Sequence, residues 1–179
     1  VRKHIKAITA GFMAAGILLG GMAVPGSASA ASVSAASVSA KAGSSVNIKN
    51  ESQVINNIIK TGKSLMGKAK YNHKYTAGKY MDCSGFTYYI FQKNGINLHT
   101  RWDDGQAKYG SYVPKSQLKK GDLVFFSTNK NKKGVTHVGV YLGGGKLLDM
   151  ANSKRNVAIS DLNWSWYKKY YKTAKRIIR

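Results

Sequence analysis

Asp82-Cys83-Ser84-Gly85-Phe86 opens an apolar, aromatic run that ends at Phe91, and this stretch decides the fold. Phe86, Tyr89 and Ile90 fall at helical spacing, and Gly95 stands where a helix would stop. The spacing predicts a helix with Cys83 in its first turn. There the unpaired backbone N–H groups and the helix dipole favour the thiolate, the form that attacks carbonyls. Cys83 is the only cysteine in 179 residues. A lone cysteine is ordinarily a small packed hydrophobe, yet a polar Asp-Cys-Ser start is a poor place to bury an inert thiol, which favours a nucleophile.

Toward the N-terminus, Arg2, Lys3 and Lys6 precede an apolar stretch from Ala7 to Val24, followed by Pro25 and the small-residue site Ala28-Ser29-Ala30. Residues 1–30 read as a secretory signal peptide cleaved after Ala30. The glycines that interrupt the stretch argue against a permanent membrane anchor. The expected location is therefore outside the cell, secreted or wall-associated, with no stable membrane insertion after cleavage. A secreted chain pairs its cysteines or avoids them, so an unpaired Cys83 points again to retained chemistry. Residues 31–50 repeat Ala-Ser-Val-Ser-Ala twice and carry almost no bulky apolar side chains, the composition of a disordered spacer. Residues 51–179 suffice for one domain with a single core and are too few for two; a monomer is expected.

Within that domain Val54, Ile55, Ile58, Ile59, Leu65 and Met66 share one side of a helical wheel, with Asn50 or Ser52 as cap. Polar loops flank the Cys83 helix, the second running from Gly95 through Trp102 to Lys120. From Gly121 the pattern turns to strands: Leu123 to Phe126, Val135 to Leu142, Lys146 to Ala151, Val157 to Ile159 and Thr173 to Ile178. Helices first and an antiparallel sheet afterwards make an α+β domain. The aromatics Trp164, Trp166, Tyr167, Tyr170 and Tyr171 are expected to pack on the sheet.

The hairpin through Gly143-Gly144-Gly145 carries a parity argument. The first strand puts Val138, Val140 and Leu142 on one face and His137, Gly139 and Tyr141 on the other. The return strand puts Leu148 and Met150 on one face and Leu147, Asp149 and Ala151 on the other. With both apolar faces on one core, His137 and Asp149 lie on the same side. That needs an odd-length turn, such as a three-residue loop with a glycine at positive φ; an even-length turn without a bulge separates them.

A cysteine at a helix start, with a histidine and a carboxylate neighbouring on a sheet, is the thiolate, base and orienter set of cysteine peptidases. His4, His73 and His99 are the other histidines, one in the leader and two in polar loops. Glu51, Asp82, Asp103, Asp104, Asp122 and Asp161 are less suitably placed than Asp149. No metal-ligand spacing and no phosphate-binding glycine loop is present, so no metal and no cofactor is expected.

Asp82-Cys83-Ser84-Gly85-Phe86, Gly121-Asp122-Leu123-Val124-Phe125-Phe126 and His137-Val138-Gly139-Val140-Tyr141-Leu142-Gly143, in this order, resemble the NlpC family of papain-like bacterial cell-wall endopeptidases. The resemblance covers essentially all of residues 51–179. It implies a papain-like fold with Cys83 as nucleophile, His137 as base and Asp149 as the third polar residue. It further implies that the Tyr71 hydroxyl and the Cys83 backbone N–H serve the oxyanion, and that Asp82 and Ser84 help hold substrate. The third position is commonly histidine in this family, so Asp149 changes the charge of the site while keeping the orienting role. Asn72-His73-Lys74-Tyr75 replaces the usual paired glycines, and His99 to Asp104 lacks the usual Arg-Thr-Ser pattern.

The substrate so implied is the stem peptide of peptidoglycan, hydrolysed between γ-D-glutamate and a diamino acid. The formal charge of +22, or +19 once Arg2, Lys3 and Lys6 leave with the signal, suits adsorption to anionic wall polymers. Nucleic acid is the usual partner of so basic a chain, but a signal peptide argues against it. Two rivals remain: a hydrolase of another γ-linked amide such as poly-γ-glutamate, and a basic wall-binding protein without catalysis.

Overall fold

A computed structural model of the chain describes residues 38–39 and 50–179, apart from Lys130 and Lys132. The expected signal peptide lies outside the described residues, as does the expected spacer apart from Val38, Ser39 and Asn50. Val38–Ser39 pairs in parallel with Ile96–Asn97.

Helix α1 spans Glu51–Lys63 and buries Ile55, Ile58, Ile59 and Gly62, one stripe at helical period. Glu51 in its first turn and Lys60 and Lys63 in its last complement the helix dipole. The helix ends before Leu65 and Met66, which had been expected on its apolar face. Successive turns from Gly62 to Ala69 carry these residues instead, leaving Met66 exposed while Leu65 still leans on the core. Helix α2 spans Cys83–Gln92 and buries seven of its ten residues. Phe86, Ile90 and Phe91 are fully buried, and each contributes about 1.5–3 kcal/mol through removal from water.

Strands β1 (Ser111–Tyr112), β2 (Leu123–Phe126), β3 (His137–Gly143), β4 (Lys146–Met150) and β5 (Val157–Asp161) are followed by helix α3 (Ser165–Tyr170) and strand β6 (Tyr171–Arg176). They form one sheet in the order β1-β6-β2-β3-β4-β5, with every neighbouring pair antiparallel. Helices α1 and α2 cover one face, packing Ile58, Phe86 and Ile90 against Phe125, Val138, Val140 and Leu148. On the other face Val124, Phe126, Leu147 and Ala174 meet Val113, Leu162 and Tyr167. A sheet buried on both faces explains why β2 reads as an unbroken apolar run. It also corrects the expected single core: the face carrying His137 and Asp149 is itself covered, by α3 and its flanking loops.

The loop expected from Gly95 to Lys120 contains a helical turn at Asp103–Gln106, the edge strand β1 and a short 3-10 turn at Lys115–Gln117. Elements this short leave no periodicity to read. Tyr167 packs on the sheet as expected, and Trp166, though 38% exposed, sets its ring 5.8 Å from that of Phe126, while Trp164 is 49% exposed and meets Tyr167 at 6.1 Å. A six-residue helix can turn only one face inward.

Candidate active site

Cys83 is the first residue of α2, and Asp82 caps that helix, its Oδ1 accepting the Gly85 backbone N–H at 2.7 Å. The cap satisfies one unpaired donor of the first turn and fixes where the helix begins. The Ser84 hydroxyl donates to the same Asp82 oxygen at 3.2 Å, and the Arg101 guanidinium lies 3.7 Å from the other oxygen. Asp82 and Ser84 are both buried, and their side chains meet each other at the helix cap. Gln106, fully buried, ties the helical turn at Asp103 to α2 through Thr87 and the Ser84 carbonyl.

His137 begins β3 and Asp149 lies in β4, on the same face of the sheet. His137 Nε2 is 2.8 Å from Asp149 Oδ2. The expected parity holds through a different device. Val140 pairs with Leu148 and Tyr141 with Leu147, the register slips by one residue, and Gly143 pairs with Lys146. The turn proper is the two-residue Gly144-Gly145, both at positive φ, and the bulge at Leu142 supplies the odd residue. Gly139 stands opposite Asp149; a Cβ there would lie 3.0 Å from the Asp149 Cβ. Its absence leaves the carboxylate room to reach diagonally to His137.

Two partners of Asp149 escaped the sequence. The Ser160 hydroxyl donates to Oδ1 at 2.8 Å and the Tyr167 hydroxyl to Oδ2 at 2.7 Å, so this fully buried carboxylate accepts from three groups. Burying a carboxylate is costly unless its oxygens are hydrogen-bonded, and here both are. Ser160 was legible in principle, because pairing of β4 with β5 puts it across from Leu147 on the Asp149 face. Tyr167 was not, since its place depends on how α3 docks.

Burial acts most strongly on the His137 imidazole and would by itself lower its pKa. Hydrogen bonds to Asp149 and Cys83, with their negative charges, more than reverse this and raise it well above the ordinary histidine value. With Nε2 turned to Asp149, Nδ1 is the ring nitrogen left for the thiol. The arrangement holds an imidazolium beside a sulfur at a helix N-terminus. Tyr71 pairs with Met81 just ahead of α2. Its phenol is pushed up by burial and then by the negative charges of Cys83, Asp82 and Asp103, which keeps it a hydrogen-bond donor within the nucleophile's field. Burial and the Asp149 charge likewise raise Tyr167.

A cavity of about 400 Å³ adjoins the imidazole, bordered by His137, Ala151, Asn152, Arg155, Trp164, Trp166 and Tyr167. No group of His, Cys, Asp and Glu suited to a metal ion is present among the described residues. No described helix is long and apolar enough to cross a membrane. The structure brings Cys83, His137 and Asp149 together, with Tyr71 near enough to feel the Cys83 charge. The chemistry available is thiolate attack on a carbonyl with proton return from imidazolium.

The model of the NlpC/P60 family matches residues 67–176. Over 121 residues the chain is 37% identical to a gamma-D-glutamyl-L-lysine dipeptidyl-peptidase of Bacillus cereus, covering 68% of this chain and 36% of that protein. A protein of the same name from Bacillus subtilis is 35% identical over 129 residues, with coverages of 72% and 43%. The crystal structure of an NlpC/P60 family protein from Bacillus cereus superposes with a TM-score of 0.65 at 35% identity, covering 70% of this chain and 40% of that one. The chain thus spans less than half the length of these relatives.

Proposed function

The chain belongs to the NlpC/P60 family and has its papain-like α+β fold, and from that premise we propose that it is a cysteine endopeptidase hydrolysing the γ-D-glutamyl to diamino acid bond of peptidoglycan stem peptides. The observation that carries this proposal is the Cys83, His137 and Asp149 set, with His137 Nε2 2.8 Å from the Asp149 carboxylate and hydrogen bonding to Cys83 raising the imidazole pKa. The bond is suggested by relatives named gamma-D-glutamyl-L-lysine dipeptidyl-peptidase and, at 31% identity, peptidoglycan DL-endopeptidase CwlO.

Cys83 Sγ attacks the γ-carbonyl carbon of D-glutamate, and the carbonyl oxygen becomes an oxyanion. The Cys83 backbone N–H and the Tyr71 hydroxyl are the donors for that charge. As the tetrahedral intermediate collapses, the C–N bond breaks and His137 gives its Nδ1 proton to the leaving amine. A thioester remains on Cys83. Water then donates a proton to His137 as its oxygen attacks the thioester, and the thiolate leaves again. Asp149 keeps its negative charge throughout, holding Nε2–H and supporting imidazolium.

Secretion through residues 1–30, a dispensable segment at residues 31–50 and adsorption of this basic chain to anionic wall polymers belong to the same proposal. The test is mass spectrometry of purified wall fragments and of poly-γ-glutamate after incubation with the wild type and with Cys83→Ala. New stem-peptide termini at the γ-D-glutamyl bond, absent with the variant, are expected. Cleavage of poly-γ-glutamate alone, or equal products from both proteins, would overturn the assignment.

A further inference from the structure

The cavity beside His137 is not accounted for by the nucleophile, the base or the oxyanion donors. Its position follows from the chemistry: imidazolium hands its proton to the departing amine, so the residue carrying that amine must rest against the imidazole. The cavity has His137 as one wall, and at about 400 Å³ it falls within the roughly 300–1,000 Å³ of small-ligand sites. The cavity wall has no carboxylate, and its cations are the His137 imidazolium and Arg155.

Arg155 is held in place before any ligand arrives. One terminal nitrogen donates to the Ser160 hydroxyl at 3.1 Å and the other to the Ile159 carbonyl at 3.1 Å, while the guanidinium lies 4.9 Å from the centre of the Trp164 ring. Each terminal nitrogen carries two hydrogens and so has one left beyond these bonds for an incoming carboxylate. Fixing the fork in advance lowers the ordering cost on binding. Trp164 and Trp166 are both substantially exposed, and Trp166 sets its ring edge-on to His137 at 5.7 Å. They give an aliphatic side chain an apolar wall next to the reacting centre.

We propose that this cavity is the leaving-group subsite and that Arg155 binds the free α-carboxylate of the departing diamino acid, making the protein selective for stem peptides that end at that residue. The assignment rests on the peptidase activity proposed above. It names the class of preferred substrate: a short γ-D-glutamyl peptide whose C-terminal L-diamino acid carries an unblocked carboxylate, with its side chain along the two tryptophans.

The experiment compares kcat/KM for L-alanyl-γ-D-glutamyl-L-lysine with kcat/KM for its C-terminal amide, using wild type, Arg155→Ala and Arg155→Lys. Wild type is expected to prefer the acid on the order of 10- to 100-fold. Arg155→Ala should lower the rate on the acid far more than the rate on the amide, so that the preference collapses toward unity, and Arg155→Lys should restore part of the preference. Equal rates for acid and amide in the wild type would overturn the assignment. So would an equal fall on both substrates in Arg155→Ala, which is the signature of Arg155 acting only through Ser160 on Asp149. Cleavage of neither peptide would overturn the peptidase proposal and this one with it.

Discussion

Replacing Asp149 by Asn keeps the shape of the side chain and removes its charge. In the wild type the carboxylate is fully buried and accepts from His137 at 2.8 Å, Tyr167 at 2.7 Å and Ser160 at 2.8 Å. Burial disfavours the imidazolium, and Asp149 and Cys83 together overcome it. Without the carboxylate, burial is opposed by Cys83 alone, so the His137 pKa falls. A hydrogen bond to a charged group contributes about 1.5–3 kcal/mol, and about 1.4 kcal/mol corresponds to one pH unit. The alkaline limb of kcat/KM, where His137 loses its proton, is therefore expected to move down by about one to two pH units. At neutral pH kcat should fall on the order of 10- to 100-fold with KM little changed, because Asp149 touches His137 and not substrate. A raised pKa contributes stability that is complete below the ordinary 6.5 and is lost as pH rises through the folded value, so the wild-type melting temperature should fall more steeply above 6.5 than that of Asp149→Asn. The assay is the pH profile of stem-tripeptide hydrolysis, with near-ultraviolet circular dichroism to verify the fold. An alkaline limb at the wild-type position would refute the electrostatic role of Asp149.

Tyr167→Phe removes one of the three donors to the buried carboxylate; a loss of about 1–3 kcal/mol in denaturant unfolding and a reduced kcat are expected. Gly139→Ala puts a Cβ 3.0 Å from that of Asp149, so the carboxylate must shift; activity should drop with the sheet retained, as read by kcat and far-ultraviolet circular dichroism. Adsorption to purified walls should be released by high salt while hydrolysis of a small soluble peptide is largely unaffected, because charge screening weakens only the long-range attraction. Adsorption persisting in high salt would point to a specific glycan contact.

The parts of the site that could be read in advance are those fixed by local rules. Phe86, Tyr89 and Ile90 at helical spacing announce a helix with Cys83 in its first turn, and the structure adds the Asp82 cap that fixes where it begins. The alternation of β3 and β4 likewise fixed the relative facing of His137 and Asp149 up to one unknown, the turn. The Leu142 bulge resolved that unknown, and no residue pattern distinguishes it from a three-residue loop. What stayed illegible depends on tertiary docking. The aromatic segment from Trp164 to Tyr171 was expected to pack as a whole, yet α3 sends Tyr167 inward to Asp149 and leaves Trp164 and Trp166 beside the cavity. Ser84 sits next to the nucleophile in sequence, but the helical turn directs its hydroxyl to Asp82.

Peptidase function requires that the Cys83 thiol break the γ-D-glutamyl bond. The most direct measurement is liquid chromatography with mass spectrometry on L-alanyl-γ-D-glutamyl-L-lysine incubated with wild type, Cys83→Ala and Cys83→Ser. The wild type should release free lysine and the L-alanyl-D-glutamate dipeptide, and both variants, folded as judged by unchanged melting curves, should release neither above background. Cleavage at the alanyl bond, or wild-type rates from the serine or alanine protein, would contradict it.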